Sequence, residues 1–335
     1  MSTPTTRPQG PATPPAAARA ILEGPQTASA PGASAPTARR RPVPWTRLAW
    51  VTWRQHRFML AGVATLLGVM GLYLLYMGLK IHHAYASMVS CSPGRSAHCQ
   101  QLANAFAQYW GGGRGSVVQA GGAQEVSVLL LVFPVLIGVF AGAPVLAREL
   151  ETGTFRFAWT QGSGRLRWTI AKLVLLAAAV TAAAGAFSAL FSWYYQPFLA
   201  VGRTYEFLPI VFNLSGVDFA AWTLAAFAIS AFAGAVIRRT VPAMAASLAA
   251  WTVLLVTTML VLRPHYEAPL ISKHSFPGAT AWVLNAAVSP TGNGPVTYQP
   301  GSRFWAFQFI EGGWLLVLAL LLGAATIWLV RRRAA

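Results

Sequence analysis

Residues Arg148 to Lys172 hold the densest polar chemistry in the chain: Arg-Glu-Leu-Glu-Thr-Gly-Thr-Phe-Arg-Phe-Ala-Trp-Thr-Gln-Gly-Ser-Gly-Arg-Leu-Arg-Trp-Thr-Ile-Ala-Lys. Glu149 and Glu151 stand among Arg148, Arg156, Arg165, Arg167 and Lys172, and long apolar segments lie on either side. Carboxylates and guanidinium groups so placed suit charge-assisted hydrogen bonds to a second surface. Gly153 allows a tight turn that a residue with a Cβ would resist. Phe155, Phe157 and Trp159 are aromatic anchors of the kind that dominate protein interfaces. The chemistry that fits is docking rather than bond-making. The competing reading is an ordinary loop held by its own salt bridges.

Other candidate chemistry is sparse. The sequence has no Gly-x-x-x-x-Gly-Lys-Ser/Thr phosphate loop, no His-Glu-x-x-His and no Gly-x-Ser-x-Gly. Cys91 and Cys99 fall in one long polar segment and would pair in an oxidising compartment. Two unpaired thiols, or a weak metal set with His98, are the alternatives. His82, His83, His265 and His274 read as solvated loop residues. Thr181, Ser188, Ser192, Thr223, Ser230, Thr257 and Thr258 supply the polar groups inside the apolar segments, where helix-to-helix hydrogen bonding is their expected role.

The elements that carry these residues follow from composition. The chain of 335 residues is 55% hydrophobic and 10% charged, with a mean hydropathy of +0.51. Soluble domains carry about 25% charged residues, so most of this chain is solvated by lipid. A net charge of +17 would suit nucleic acid, but the basic residues flank apolar segments, so no nucleic-acid partner is expected. The fold class that follows is an all-α membrane protein with six transmembrane helices. Their expected spans are about 58–79, 126–147, 169–194, 219–237, 241–262 and 313–330, each long enough to cross roughly 30 Å of hydrocarbon. Gly138 and Gly142 form a Gly-x-x-x-Gly pair, and Ala226, Ser230 and Gly234 recur four apart. Both patterns let helices approach closely. No Asp, Glu, Lys, Arg or His is expected well inside the hydrocarbon.

Residues 1–43 are rich in Pro, Ala, Ser and Thr and cannot bury enough surface to offset their ordering entropy, which predicts a disordered cytoplasmic tail. Residues 44–57 place Trp45, Leu48 and Trp53 on one helical face, with Arg47 and Arg54 off it, which predicts an interfacial amphipathic helix rather than a plain extension of the first span. With the N-terminus inside, eighteen basic residues fall on cytoplasmic segments and seven outside, so both termini are expected to be cytoplasmic. The outer segments 80–125 and 263–311 are the long ones. Apolar stretches at 276–288 and 304–310 predict short helices dipping into the outer leaflet, separated by a turn over Ser289 to Pro295.

The pattern Arg148-Glu149-Leu150-Glu151-Thr152-Gly153-Thr154, then Ala158-Trp159-Thr160-Gln161, directly after a span, resembles the loop between the second and third spans of ABC-2 type permeases, especially their actinobacterial branch. The resemblance covers about Trp45 to Arg333. It implies a six-span transmembrane domain over 58–335 in a bacterial cytoplasmic membrane and a second permease subunit. It also implies separate ABC ATPase subunits that dock at Arg148, Glu149, Glu151, Thr152, Gly153, Thr154, Phe155, Arg156 and Trp159. ATP and Mg would belong to the ATPase, with no cofactor on this chain and no catalysis by it. The function implied is export of a substrate; a sensor or channel without ATP coupling is the alternative.

Overall fold

The computed structural model describes residues 44–91, 96–110, 122–153, 165–202, 204–272, 280–286 and 294–333. The tail expected over 1–43, residues 289–293 of the turn expected over Ser289 to Pro295, and the docking residues Thr154, Phe155, Arg156 and Trp159 lie outside them.

Six helices are long and apolar enough to cross a membrane. The first is α1 (Trp45–Ser90), followed by the short α2 (Ala97–Gln108). The second comprises α3 (Ala123–Leu130) and α4 (Phe133–Thr152), the third is α5 (Arg165–Ala200), and a short α6 (Pro209–Phe212) precedes the fourth, α7 (Asp218–Ile237). The fifth is α8 (Thr240–Thr257), prolonged by a π-helical turn (Thr258–Leu262) and a 3-10 turn (Arg263–His265); the sixth is α9 (Phe304–Arg333). The fold is all-α, as composition demanded, apart from one small sheet.

The buried centre is the pair α4 and α7. Gly138 on α4 leaves room for Ala226 and the α7 backbone. A Cβ at Gly142 would stand 2.5 Å from the Phe227 carbonyl oxygen, and one at Gly234 would stand 2.7 Å from the Ala143 carbonyl oxygen. The two small-residue patterns thus face each other, and their missing side chains allow backbone-to-backbone contact. Helix α7 is apolar on all sides because α4, α5, α8 and α9 all pack on it. By contrast α1 touches mainly α5 and exposes Val69, Leu72, Leu75 and Leu79.

Three boundaries differ from the sequence expectation. Residues 45–57 are not a separate interfacial helix: α1 runs unbroken to Ser90. Nothing between His56 and Phe58 breaks a helix, and Leu48 and Thr52 are buried while Trp45 and Trp53 are exposed. The stretch expected to dip as a helix around 276–288 instead contributes β2. It joins β1 (Leu270–Ser272), β2 (Trp282–Ala286) and β3 (Val296–Gln299) in an antiparallel sheet of order β1-β3-β2. Pairing of Trp282–Ala286 with Val296–Gln299 decides for a strand over a helix. The stretch 304–310 is the first two turns of α9 rather than a separate helix.

The sheet is fastened to the bundle by aromatic rings. Phe207 lies 5.6 Å from Trp282, 5.8 Å from Phe212 and 5.2 Å from Phe307, centroid to centroid. Arg303 adds an ion pair to Glu267 at 2.7 Å. At the same end of the bundle Cys91 and Cys99 are joined by a disulfide that ties the end of α1 to α2. Phe106 of α2 is then buried beside Phe198 of α5, with ring centroids 5.3 Å apart.

Candidate functional site: a polar clamp at one end and a buried charge cluster at the other

The described residues of the stretch expected to be a loop are almost all helical. Residues Arg148 to Thr152 are the last turn of α4, and Arg165 to Lys172 are the first two turns of α5. Gly153 ends α4 with φ 71°, a left-handed conformation that glycine adopts without steric cost. Gly153 thus has the backbone conformation that a tight turn there would need; the residues that follow it, 154–164, lie outside the described ones.

The two acids in this turn do different things. Glu149 forms an ion pair with Lys172, whose side chain is 1% exposed. The Lys172 ammonium also lies 4.4 Å from the centroid of the Trp168 ring. An ammonium that far from water needs its counter-ion beside it. Glu149 was expected to reach a second protein; it is held inside the chain instead, because Lys172 approaches it from α5. Glu151 remains exposed. Its Oε2 accepts from the Thr240 backbone N–H at 3.1 Å and from the Thr240 hydroxyl at 2.9 Å. Thr240 begins α8, so this carboxylate satisfies an N–H at a helix start, where negative charge is favourable.

The remaining predicted residues gather at the same end. Arg167 stacks over the Trp45 ring at 4.9 Å, linking α5 to the start of α1. Arg148 is exposed, and the exposed Thr152 donates back to its carbonyl at 2.8 Å. Arg54 lies over Trp50 at 5.3 Å, while Arg47 and Trp53 are exposed. The residues singled out on α1, α4 and α5 therefore do converge. They form a collar made of the start of α1, the end of α4 and the start of α5, on which Arg148, Glu151 and Thr152 are exposed.

The opposite end holds a cluster that sequence reasoning missed. Arg263 donates to Glu311 through Nε at 2.9 Å and Nη2 at 2.6 Å, a bidentate pair. Its Nη2 also reaches Asn213 Oδ1 at 2.6 Å and lies 3.6 Å from Asp218 Oδ2. Glu311 further accepts from Trp222 Nε1 at 2.9 Å and from the Tyr266 hydroxyl at 3.2 Å. Burial, and then the Glu311 charge, push the Tyr266 hydroxyl above its ordinary range, so it stays a donor. The guanidinium sits 4.1 Å over the Phe212 ring. Arg263, Asp218 and Glu311 are all buried, at 2%, 0% and 0% exposure.

This arrangement joins the fourth, fifth and sixth spanning helices. Like Glu149 and Lys172 at the other end, Asp218, Arg263 and Glu311 stand at the ends of the spans, but they are packed between helices rather than solvated. The available signal was position: Asp218, Arg263 and Glu311 each stand within two residues of an expected span end. The π-helical turn before Arg263 re-aims that side chain inward, and no sequence pattern announces such a turn.

Six apolar helices packed through small residues, with the buried ion pairs of the described residues at the two ends of the bundle, define a multi-pass α-helical membrane protein. The family model described as ABC-2 membrane transporter related matches residues 64–263, and the chain belongs to that family. The matched stretch includes the α4 and α5 parts of the collar, the α4–α7 core and Arg263. Neither the curated proteins nor the solved structures contain a match.

Proposed function

We propose that this chain is the permease subunit of an ATP-driven exporter and that the collar around residues 148–172 is its contact with separate ABC ATPase subunits. The observation that carries this reading is the family match over residues 64–263, which spans the collar. The local geometry supports it. Glu149 and Lys172 lock α4 to α5, so a push on the end of α4 is transmitted into two spanning helices. Through Glu151 the same end reaches α8. ATP and Mg are held by the partner, which does the hydrolysis. A second permease subunit completes the pathway, and the membrane is the bacterial cytoplasmic membrane. Export is the direction the resemblance implies.

The excess of basic residues supports a cytoplasmic position for the collar and both termini. In a Cys91→Ser/Cys99→Ser background, Ile271→Cys is expected to react with an impermeant maleimide added to intact cells, and Arg239→Cys to react only after the membrane is opened. Reaction of Arg239→Cys in intact cells would invert the orientation.

Coupling is tested by charge and by turn geometry separately. Glu151→Lys and Gly153→Val are each expected to lower co-purification of the ATPase, or ATP-dependent transport, by tenfold or more while leaving the protein folded in the membrane. Thr240→Val removes one hydrogen bond to Glu151 without changing charge, so association is expected to survive it. Equal loss in Thr240→Val and Glu151→Lys would assign Glu151 to helix capping alone.

A further inference from the structure

A groove of about 580 Å³ runs between α1 and α5. Its floor is Val63 and Val180, both buried, and Ala64, Ala179 and Ala183 keep it open. Trp53 and Phe58 stand at its rim, 60% and 77% exposed. Arg57 lies at the same end, its guanidinium 4.8 Å over the Phe58 ring. From Trp53 to Ala64 a helix rises about 16 Å, close to one leaflet of a roughly 30 Å hydrocarbon layer.

The groove is therefore apolar along its length and cationic at one end. Among the described residues Arg57 forms no ion pair, and the groove lining contains no carboxylate. Stacking on Phe58 holds the guanidinium at the mouth, where its N–H fork matches a phosphate. The indole of Trp53 beside it is amphipathic and suits the headgroup level. A neighbouring groove between α1 and α4, about 350 Å³ and lined by residues such as Leu66, Leu136 and Phe140, has no charged residue in its lining and lacks this pairing of chemistries.

We propose that the α1–α5 groove is a binding site for one anionic phospholipid of the surrounding bilayer, with its phosphate on Arg57 and an acyl chain along Val63 and Val180. Zwitterionic lipid presents the same chains but no net charge, so the site prefers the anionic headgroup. The occupied groove gives α1, otherwise packed mainly on α5, a second wall of contacts. This inference does not depend on the transport reading.

The test is native mass spectrometry of the full chain, released from nanodiscs made of equal parts dioleoylphosphatidylglycerol and dioleoylphosphatidylcholine. The wild type is expected to retain one phosphatidylglycerol in at least fivefold preference to phosphatidylcholine. Arg57→Gln is expected to abolish the preference. Ala183→Phe, which fills the groove without touching the cation, is expected to lower retention of both lipids at least fivefold. Unchanged thermal unfolding of the two variants in detergent shows that they are folded; should Ala183→Phe unfold, Ala179→Leu takes its place. Equal retention of both lipids by the wild type, or undiminished phosphatidylglycerol retention by both variants, overturns the proposal. So does loss of a dimer, in place of loss of lipid, on filling the groove, which would assign the groove to a second copy of the chain.

Discussion

Replacing Arg263 by methionine is expected to destabilise the folded protein by about 3–5 kcal/mol, the range found when one partner of a buried ion pair is removed. Methionine fills much of the same space, so the loss is electrostatic. Glu311 then keeps only Trp222 and Tyr266 as donors, and Asp218 keeps none. The two carboxylates behave differently when changed singly. Glu311 accepts four hydrogen bonds from Arg263, Trp222 and Tyr266, and Glu311→Gln puts an amide NH₂ where donors already point. Asp218 accepts no side-chain hydrogen bond, and its one ionic contact is at 3.6 Å. Asp218→Asn is therefore expected to cost far less than Glu311→Gln. Thermal unfolding of purified protein in detergent reads the order: Arg263→Met and Glu311→Gln lowest, Asp218→Asn nearest to wild type. A wild-type midpoint for Arg263→Met would show that the cluster does not hold the fourth, fifth and sixth spanning helices together.

The second large effect is at the α4–α7 contact. Gly142→Leu is expected to prevent the folded bundle from accumulating. The new Cβ would meet the Phe227 carbonyl oxygen at 2.5 Å and Ser230 Cβ at 2.8 Å, and a backbone carbonyl cannot swing aside as a side chain can. Overpacking a well-filled core typically costs about 1–3 kcal/mol and occasionally more; four further heavy atoms at a backbone-to-backbone contact place this substitution at or above that range. Gly68→Leu on α1 is the control, since nothing lies within 4 Å of its Cβ position. Fluorescence-detected gel filtration of tagged protein from membranes should give a folded peak for Gly68→Leu and aggregated material for Gly142→Leu. Matching peaks would mean that the two small-residue stripes do not set the approach of these helices.

The sequence made these two regions legible to different degrees. Gly138, Gly142, Ala226, Ser230 and Gly234 announce themselves by spacing, because a helix has a fixed period and small residues four apart share a face. The six spans are equally legible, since a bilayer demands a minimum apolar length. The positive φ of Gly153 was readable too, because glycine is the residue that adopts it without steric cost. Ion-pair partners were not. Lys172 reaches Glu149 across 23 positions and Arg263 reaches Glu311 across 48. Nothing local distinguishes these charges from solvated ones at a span end. The strand at Trp282 was misread because a short apolar run has no helical or extended period of its own, and pairing with Val296–Gln299 decides the matter. Continuity of α1 was the remaining difficulty: Trp and Arg at a membrane edge suit both a helix lying in the interface and one rising from it.

The central claim is that the end of α4 meets an ATPase. A photo-crosslinking residue at Thr152, exposed one position before Gly153, tests it most directly in affinity-purified protein from native membranes. The account predicts a covalent adduct to a polypeptide that carries a phosphate-binding loop, diminished when Glu151→Lys is added. The same probe at Ile271, at the other end of the bundle, should give no such adduct. An ATPase adduct at Ile271 and none at Thr152 would contradict the account.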